Sequence, residues 1–547
     1  MTELAAAVAE ELASGGVRQA FGVVGGGNIL AVARLTACGV RYVAARHEGG
    51  AMAMADAYHR ATGDVAICTT SHGAGLTNTA TGLAEAVKHG SAVLLLCGDG
   101  PVAGLRPSDV DQAAFAASLG AEMLRVTTVD TARTTAADAL RLARSGVGPV
   151  VLCLPSDLLT APVPAGPALP VEQEVLERPE KLSVDLDPVL DLLAAARRPL
   201  LLAGLGAWRS GAGKAMADLA ERTGALLTTT VMANGLFAGN RWSLGVCGGF
   251  ASPAAAELIG EADLVLAFGA GLDVFTLHGG RLIDPAAAVV RVDIAPRAAV
   301  PRIDLDLAAD ASAVASALLD GVNARGSAAS AWREEAETRL ARVAWAHQPH
   351  VDAGTEDRID PRTLTAELAD LLPAERTVVL DGGHFIGWPS MYWPVPDPAA
   401  MLFMGGAFQS IGLGFAGAVG AAAGRADRLT VVAVGDGGAL MGLPELETLV
   451  RTGLPALVVV YDDASYGFEV HMYHPRGADL STAAFADTDF AGLARSFGAE
   501  AATVRGVADL DVVRAWLAAG RRGTLVLDCK IVRNVVAPFL ADLIAGH

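Results

Sequence analysis

The chain has 547 residues, a formal charge of −19 and an apolar fraction of 52%. That length accommodates three domains of ordinary size, and the acidic balance argues against nucleic acid or an anionic membrane surface as a partner. No apolar run reaches the length of a transmembrane helix, so the apolar excess belongs in buried parallel strands and subunit contacts.

Taken in chain order, the opening MTELAAAVAEELASGG reads as an acidic amphipathic helix and not as a signal or transit peptide. Residues 20–30 (AFGVVGGGNIL) predict a strand running into a Gly-rich turn. Residues 41–58 (RYVAARHEGGAMAMADAY) place Glu48 just after a strand, at the start of a helical pattern. Residues 65–82 give a further strand followed by Gly73-Ala74-Gly75 and Thr77-Asn78, with His72 beside the strand end as a second acid–base candidate. The six cysteines (38, 68, 97, 153, 247 and 529) lack close-paired metal spacing and read as buried thiols of a reducing cytoplasm.

Proline-rich segments at 155–170 and around 346–362 interrupt these patterns. They divide the chain into an N-terminal domain (1–165), a central domain (180–340) and a C-terminal domain (358–547), each predicted as a doubly wound α/β unit with a parallel sheet. In the central domain, residues 199–212, 264–273 and 289–295 look like strands and Gly turns of a nucleotide-binding fold. Further on, His384 in LDGGHFIGW follows a strand and is a candidate proton shuttle; the plainer alternative is a loop histidine capping a carbonyl. The glycine-dense apolar stretch 403–420 suits close backbone packing onto a flat ring.

The most informative segment is 430–467. An apolar strand ends at Gly435-Asp436-Gly437, a helical pattern carries Leu440, Leu443, Leu446 and Leu449, and a second apolar strand ends at Asp462-Asp463. A strand–helix–strand unit sets its strands parallel with their carboxyl ends on one edge, where open α/β sheets bind ligands. Asp436 and Asp463 therefore share that edge, beside glycines whose N–H groups can approach an anion at a helix N-terminus. Hard oxygen ligands next to an anion cradle suggest Mg²⁺ holding a phosphate or diphosphate.

These residues also resemble the thiamine-diphosphate enzymes, in the branch of acetolactate synthases, 2-oxo-acid decarboxylases and benzaldehyde-lyase-type carboligases. The resemblance implies Mg²⁺ held by Asp436, Asp463 and the backbone carbonyl of Ser465, with Gly437, Gly438 and Tyr466 at the cofactor. The family motif ends in two asparagines where this chain has Asp462-Asp463, which adds negative charge near the diphosphate. Glu48 takes the position of the family's indispensable glutamate, which shares a proton with the cofactor's pyrimidine nitrogen and so lets the thiazolium carbon become a nucleophile. Ile411 aligns with the residue that bends the cofactor, and the Gln409 carbonyl would accept from its amino group. Gln112 would hydrogen-bond a bound carbonyl.

The turn at Gly26-Gly27 lacks the acidic residue of pyruvate decarboxylases, and no later His-His pair follows. That tilts the expectation toward decarboxylation of a 2-oxo acid with carboligation to a second carbonyl, the alternatives being simple aldehyde release or a non-catalytic paralogue. An oxidoreductase binding NAD or CoA at the central glycines would leave Glu48 and the Asp436–Asp463 unit unexplained. FAD in the central domain is a minority option, because Gly269 to Asp273 carries no arginine. The family arrangement implies a cytoplasmic homodimer or homotetramer with active sites between subunits. His471 and His474 are expected at the surface or in a covering segment.

Overall fold

The computed structural model of the chain describes residues 2–104, 106–164, 166–169, 184–295 and 302–545. Most of the predicted interval between the first two domains, 165–180, lies outside the described residues. Three six-stranded, all-parallel sheets are present, each with helices on its faces. The apolar runs form the buried strands: Val93–Asp99, Leu429–Gly435 and Ala456–Asp462 are rich in Val, Leu and Ala and, like Ala66–Thr70, almost wholly buried, as strands covered on both faces must be.

The N-terminal sheet runs in the spatial order Arg41–Ala44, Gln19–Gly22, Ala66–Thr70, Val93–Asp99, Val150–Pro155, Glu122–Arg125. The C-terminal sheet repeats that topology with Met401–Phe403, Arg376–Leu380, Leu429–Gly435, Ala456–Asp462, Thr524–Lys530 and Glu500–Val504. Numbered along the chain, both sheets read 2-1-3-4-6-5, whereas the central sheet reads 3-2-1-4-5-6, the order of dinucleotide-binding folds. A short antiparallel pair that the sequence does not announce, Thr2–Glu3 with Pro162–Val163, ties the first residues to the end of the N-terminal domain.

Each sheet has a switch point beside its first strand, where the chain passes from one side of the sheet to the other, and ligands bind beyond the strand ends there. In the C-terminal sheet the switch point lies between Arg376–Leu380 and Leu429–Gly435, so Asp381–His384 and Asp436 face the same crevice. In the N-terminal sheet it lies between Gln19–Gly22 and Ala66–Thr70, followed by the Gly25–Gly27 turn and by Ser71 to Gly75.

The two outer domains share one apolar core. Helix Glu48–Thr62 packs along helix Gly414–Gly424, and Met52, Met54 and Tyr58 join Phe415, Val419 and Val434 in a single cluster. The helices meet at small residues: a Cβ at Gly420 would overlap the Met54 carbonyl oxygen and come within 3.0 Å of the Ala57 Cβ. Two sequence expectations change here. Leu440 is 41% exposed because it lies on the side of its helix turned away from the sheet, and Cys38 is exposed at the end of helix Ile29–Ala37. Among the described residues, no helix is long and apolar enough to cross a membrane.

Gly420→Val inserts three carbons where backbone already stands, so it is expected to destabilise the junction by about 1–3 kcal/mol or more. A drop in thermal midpoint together with easier proteolysis between the outer domains checks it.

Candidate active site

A cavity of about 740 Å³ opens at the switch point of the C-terminal sheet and extends toward the crevice of the central sheet. Asp436, Gly437, Gly438, Asp463, Ser465, Tyr466, His384, Gln409 and Ile411 all line it. Glu48, His72 and Gln112 do not; they stand together at the edge of the N-terminal sheet.

Asp436 begins the helix Asp436–Thr452, its Oδ1 accepting from the Gly437 N–H at 2.9 Å and its Oδ2 from the Ser465 N–H at 3.1 Å. Asp463 Oδ1 accepts from the Ser465 hydroxyl at 2.9 Å. Burial, then the neighbouring carboxylates Asp463 and Asp462, drive the Asp436 carboxyl well above the usual range. Burial, first of all, pushes Asp463 up to about 6. Asp462 is different: its charge is met at 2.5 Å by buried Lys530, and its Oδ1 accepts from the Ala464 N–H. The pair left without a matching cation is therefore Asp436 and Asp463, a hard-oxygen donor set suited to Mg²⁺. Tyr466 packs so closely on Gly437 that a Cβ there would lie 2.5 Å from its ring.

Backbone strain gathers at the same place. Gln409 has φ of 58° and Ala464 φ of 54°, left-handed values that cost non-glycine residues about 1–3 kcal/mol and persist where surroundings over-determine them. Asp381, which the sequence reading passed over, supplies part of that determination. Its buried carboxylate accepts from the Gly412 N–H at 2.9 and 3.0 Å and from the Leu413 N–H at 3.4 Å, and burial pushes it up to about 6. Glu445 was overlooked as well. From helix Asp436–Thr452 it accepts from the Arg46 and His47 N–H groups, at 3.1 and 2.9 Å, immediately before Glu48. No spacing signals either contact, because the acceptors reach backbone far away in sequence.

These contacts describe the surroundings of the other residues singled out in the sequence. Gln112 is buried with both ends of its amide engaged: Oε1 accepts from the Gly73 N–H at 2.9 Å, and Nε2 donates to Gly98 O and Asp99 Oδ1 at 3.2 Å. It braces the Gly73 turn and offers no free donor to a substrate. His384 Nε2 accepts from the Ala537 N–H at 2.8 Å, and burial, then His471, pushes its pKa down to about 3. A ring so held is neutral near pH 7, with its proton on Nδ1, and cannot serve as the protonated partner of a shuttle. His471, expected at the surface, is half-buried, with its ring centroid 4.5 Å from that of His384. His72 Nε2 accepts from Arg106 at 3.1 Å, outside the cavity of its own chain. Glu48 Oε2 accepts from Asn78 at 2.9 Å, likewise outside it.

Leu205, Arg209 and the turn Gly269–Gly271 of the central domain also line the cavity. Asp273 and Phe275 stand there in the segment whose arginine the sequence reading found missing.

His384 yields a pH prediction. Its folded pKa lies below the unfolded value, so its contribution to stability is present above about pH 6.5 and is lost as pH falls toward 3. The unfolding free-energy difference between wild type and His384→Gln should shift by about 3 kcal/mol against the wild type between pH 7 and pH 4. Parallel pH profiles of the two proteins would refute the assignment.

Comparison with known proteins agrees with this geometry. Residues 2–121, 186–318 and 381–529 match the N-terminal TPP binding domain, the central domain and the C-terminal TPP binding domain of the thiamine pyrophosphate enzymes. The acetolactate synthase large subunit of Parasynechococcus marenigrum is 30% identical over 91% of this chain and 82% of its own length. A probable acetolactate synthase large subunit of Methanocaldococcus jannaschii is 26% identical over 91% of this chain and 86% of its own. The sulfoacetaldehyde acetyltransferase of Castellaniella defragrans is 26% identical over 98% and 95%. The chain belongs to the thiamine pyrophosphate enzymes, in the branch that holds the acetolactate synthases.

Proposed function

We propose that the protein is a thiamine-diphosphate- and Mg²⁺-dependent carboligase, taking a 2-oxo acid as donor and a second carbonyl compound as acceptor. The observation that carries this reading is one cavity uniting the Asp436–Asp463 pair with the strained Gln409 and with Ile411. When bound, the cofactor supplies a nucleophilic carbon and an electron sink for decarboxylation. The chain supplies the rest. Asp436, Asp463 and the Ser465 carbonyl hold the metal, while Gly437 and Gly438, in the first turn of the helix, face the diphosphate. The Gln409 carbonyl orients the amino group, and Ile411 wedges the two rings. Tyr466, packed on Gly437, closes one wall. Relatives named as a synthase and as a transferase favour bond formation over simple release of an aldehyde.

This reading needs a second subunit. Glu48 is held at the N-terminal sheet edge, away from the cavity of its own chain. Apolar side chains stand exposed near both edges: Ile29 (51%) beside the N-terminal crevice, and Leu440 (41%) and Met441 (56%) on the metal-bearing helix. A homodimer that covers them brings the partner subunit's Glu48 to the cofactor, with the proton-sharing role stated above. His72, beside Arg106 on that same edge, then faces the acceptor side, and Gln112 acts only by bracing the Gly73 turn. In a dimer of this kind each active site draws on both chains.

Titration calorimetry of metal-stripped protein with thiamine diphosphate, with and without Mg²⁺, tests the metal site, and CO₂ release from a panel of 2-oxo acids tests the donor. Binding should require Mg²⁺, should be lost in Asp436→Ala, and should survive in Glu48→Gln while turnover falls about 100-fold or more. Mixing the two inactive variants under subunit exchange should restore about a quarter of wild-type activity, since half the dimers then carry one intact site. Activity unaffected by Glu48→Gln would sink the mechanism, and failed complementation would sink the shared site.

A further inference from the structure

We infer that Glu85, on the N-terminal domain, is a positioning residue that sets the Gln409–Ile411 loop of its own chain. It rests on the reading of that loop as a cofactor contact. Glu85 lies in helix Ala80–His89 with no solvent exposure. Its Oε1 accepts from Arg60 Nη2 at 2.9 Å and from the Ala407 N–H at 3.2 Å; its Oε2 accepts from the Phe408 N–H at 2.6 Å. Arg60 is fully spent in turn. It grips Asp56 through Nε and Nη2 at 2.8 and 2.7 Å and donates from Nη1 to the Phe403 carbonyl at 2.7 Å. Ser91 donates to Asp56 at 2.5 Å. The N-terminal domain thus holds both the end of the strand Met401–Phe403 and the turn that follows it.

Stability alone does not account for this arrangement. Two buried carboxylates share the buried Arg60 guanidinium, with Arg209 within electrostatic reach of Asp56 behind them, and replacing such a group by apolar side chains is often neutral or stabilising. What an apolar side chain cannot do is accept two adjacent backbone N–H groups. Those groups belong to the residues just before Gln409, whose left-handed φ needs support. On the far side, Asp381 accepts from the Gly412 and Leu413 N–H groups. Residues 409–411 are therefore suspended between two buried carboxylates, one from each outer domain. Glu85 does not line the cavity, so its influence passes through backbone alone.

The test uses Glu85→Asp, which keeps the charge but withdraws the oxygens by one methylene, and Glu85→Gln, which keeps the length and loses the charge. In cofactor-free protein, amide hydrogen exchange over residues 404–413 should accelerate about tenfold or more in both variants, with the rest of the chain protected as in wild type. In the holoenzyme, hydrogen–deuterium exchange at the thiazolium carbon of bound thiamine diphosphate should slow on the order of 10- to 100-fold. Turnover should fall in step, while KM for the 2-oxo acid changes little. Unchanged protection of the loop would overturn the inference, as would lost protection with wild-type exchange at the cofactor carbon. Ile411→Ala is the control. Slowed cofactor exchange in that variant upholds the underlying reading when Glu85 fails, and unchanged exchange removes that reading and the inference together.

Discussion

The close approach of helix Glu48–Thr62 to helix Gly414–Gly424 governs how this chain can work. At Gly420 there is no room for a side chain, so the N-terminal and C-terminal domains are fixed to one another by backbone contact, with no adjustable layer between them. That contact fuses the cores of two sheets of identical topology and directs their ligand edges differently. The C-terminal edge opens into the cavity; the N-terminal edge, with Glu48, does not. A rigid junction that keeps the family's glutamate from its own cavity makes an active site shared between subunits the consistent reading of the fold.

The same junction carries information in both directions. Glu445, on helix Asp436–Thr452, accepts from the backbone just before Glu48, and Glu85, on the N-terminal domain, accepts from the backbone just before Gln409. Each outer domain thus uses a buried carboxylate to hold the functional loop of the other. Such bonds between a charged acceptor and backbone N–H groups are stronger than neutral ones and tolerate little displacement. They convert a domain contact into precision at residues that never touch across it.

The sequence announces strand ends and misses braces. Gly435-Asp436-Gly437 and Asp463 stand out in the sequence as glycines and acids at the carboxyl ends of apolar strands, and Glu48 only through the family resemblance. Asp381, Glu85 and Glu445 do not, since their partners are backbone groups 31, 322 and 399 residues away and leave no pattern. The hydrogen bonds of Gln112 and His384 are hidden for a related reason. Residue type and place at a sheet edge are visible in the sequence, but whether the amide or imidazole is already spent on neighbouring backbone is not. The helix pattern over 436–452 is clear even with Pro444 inside it, yet Leu440 turns outward, because periodicity marks an apolar face without saying which body covers it.

The aspartate pair that departs from the family motif has an electrostatic counterpart within the fold. Strand Thr524–Lys530 and the loop after it bring Lys530 onto Asp462 and Asp528, and Arg533 onto the Asp463 and Ala464 carbonyls. Burial and neighbouring carboxylates raise Asp436, Asp463 and Asp528 above the usual carboxylate range; were all four carboxylates around the loop ionised, Asp462 included, they would outnumber the two cations and leave a remainder of two negative charges. One divalent ion cancels that remainder. With asparagine at 463 the same cations would leave the loop one charge short of a divalent partner. On the proposed reading, Asp463 is therefore no defect in the metal site: Arg533 supports its backbone carbonyl from behind the loop, and a bound divalent ion would favour the charged form of both ligand carboxylates.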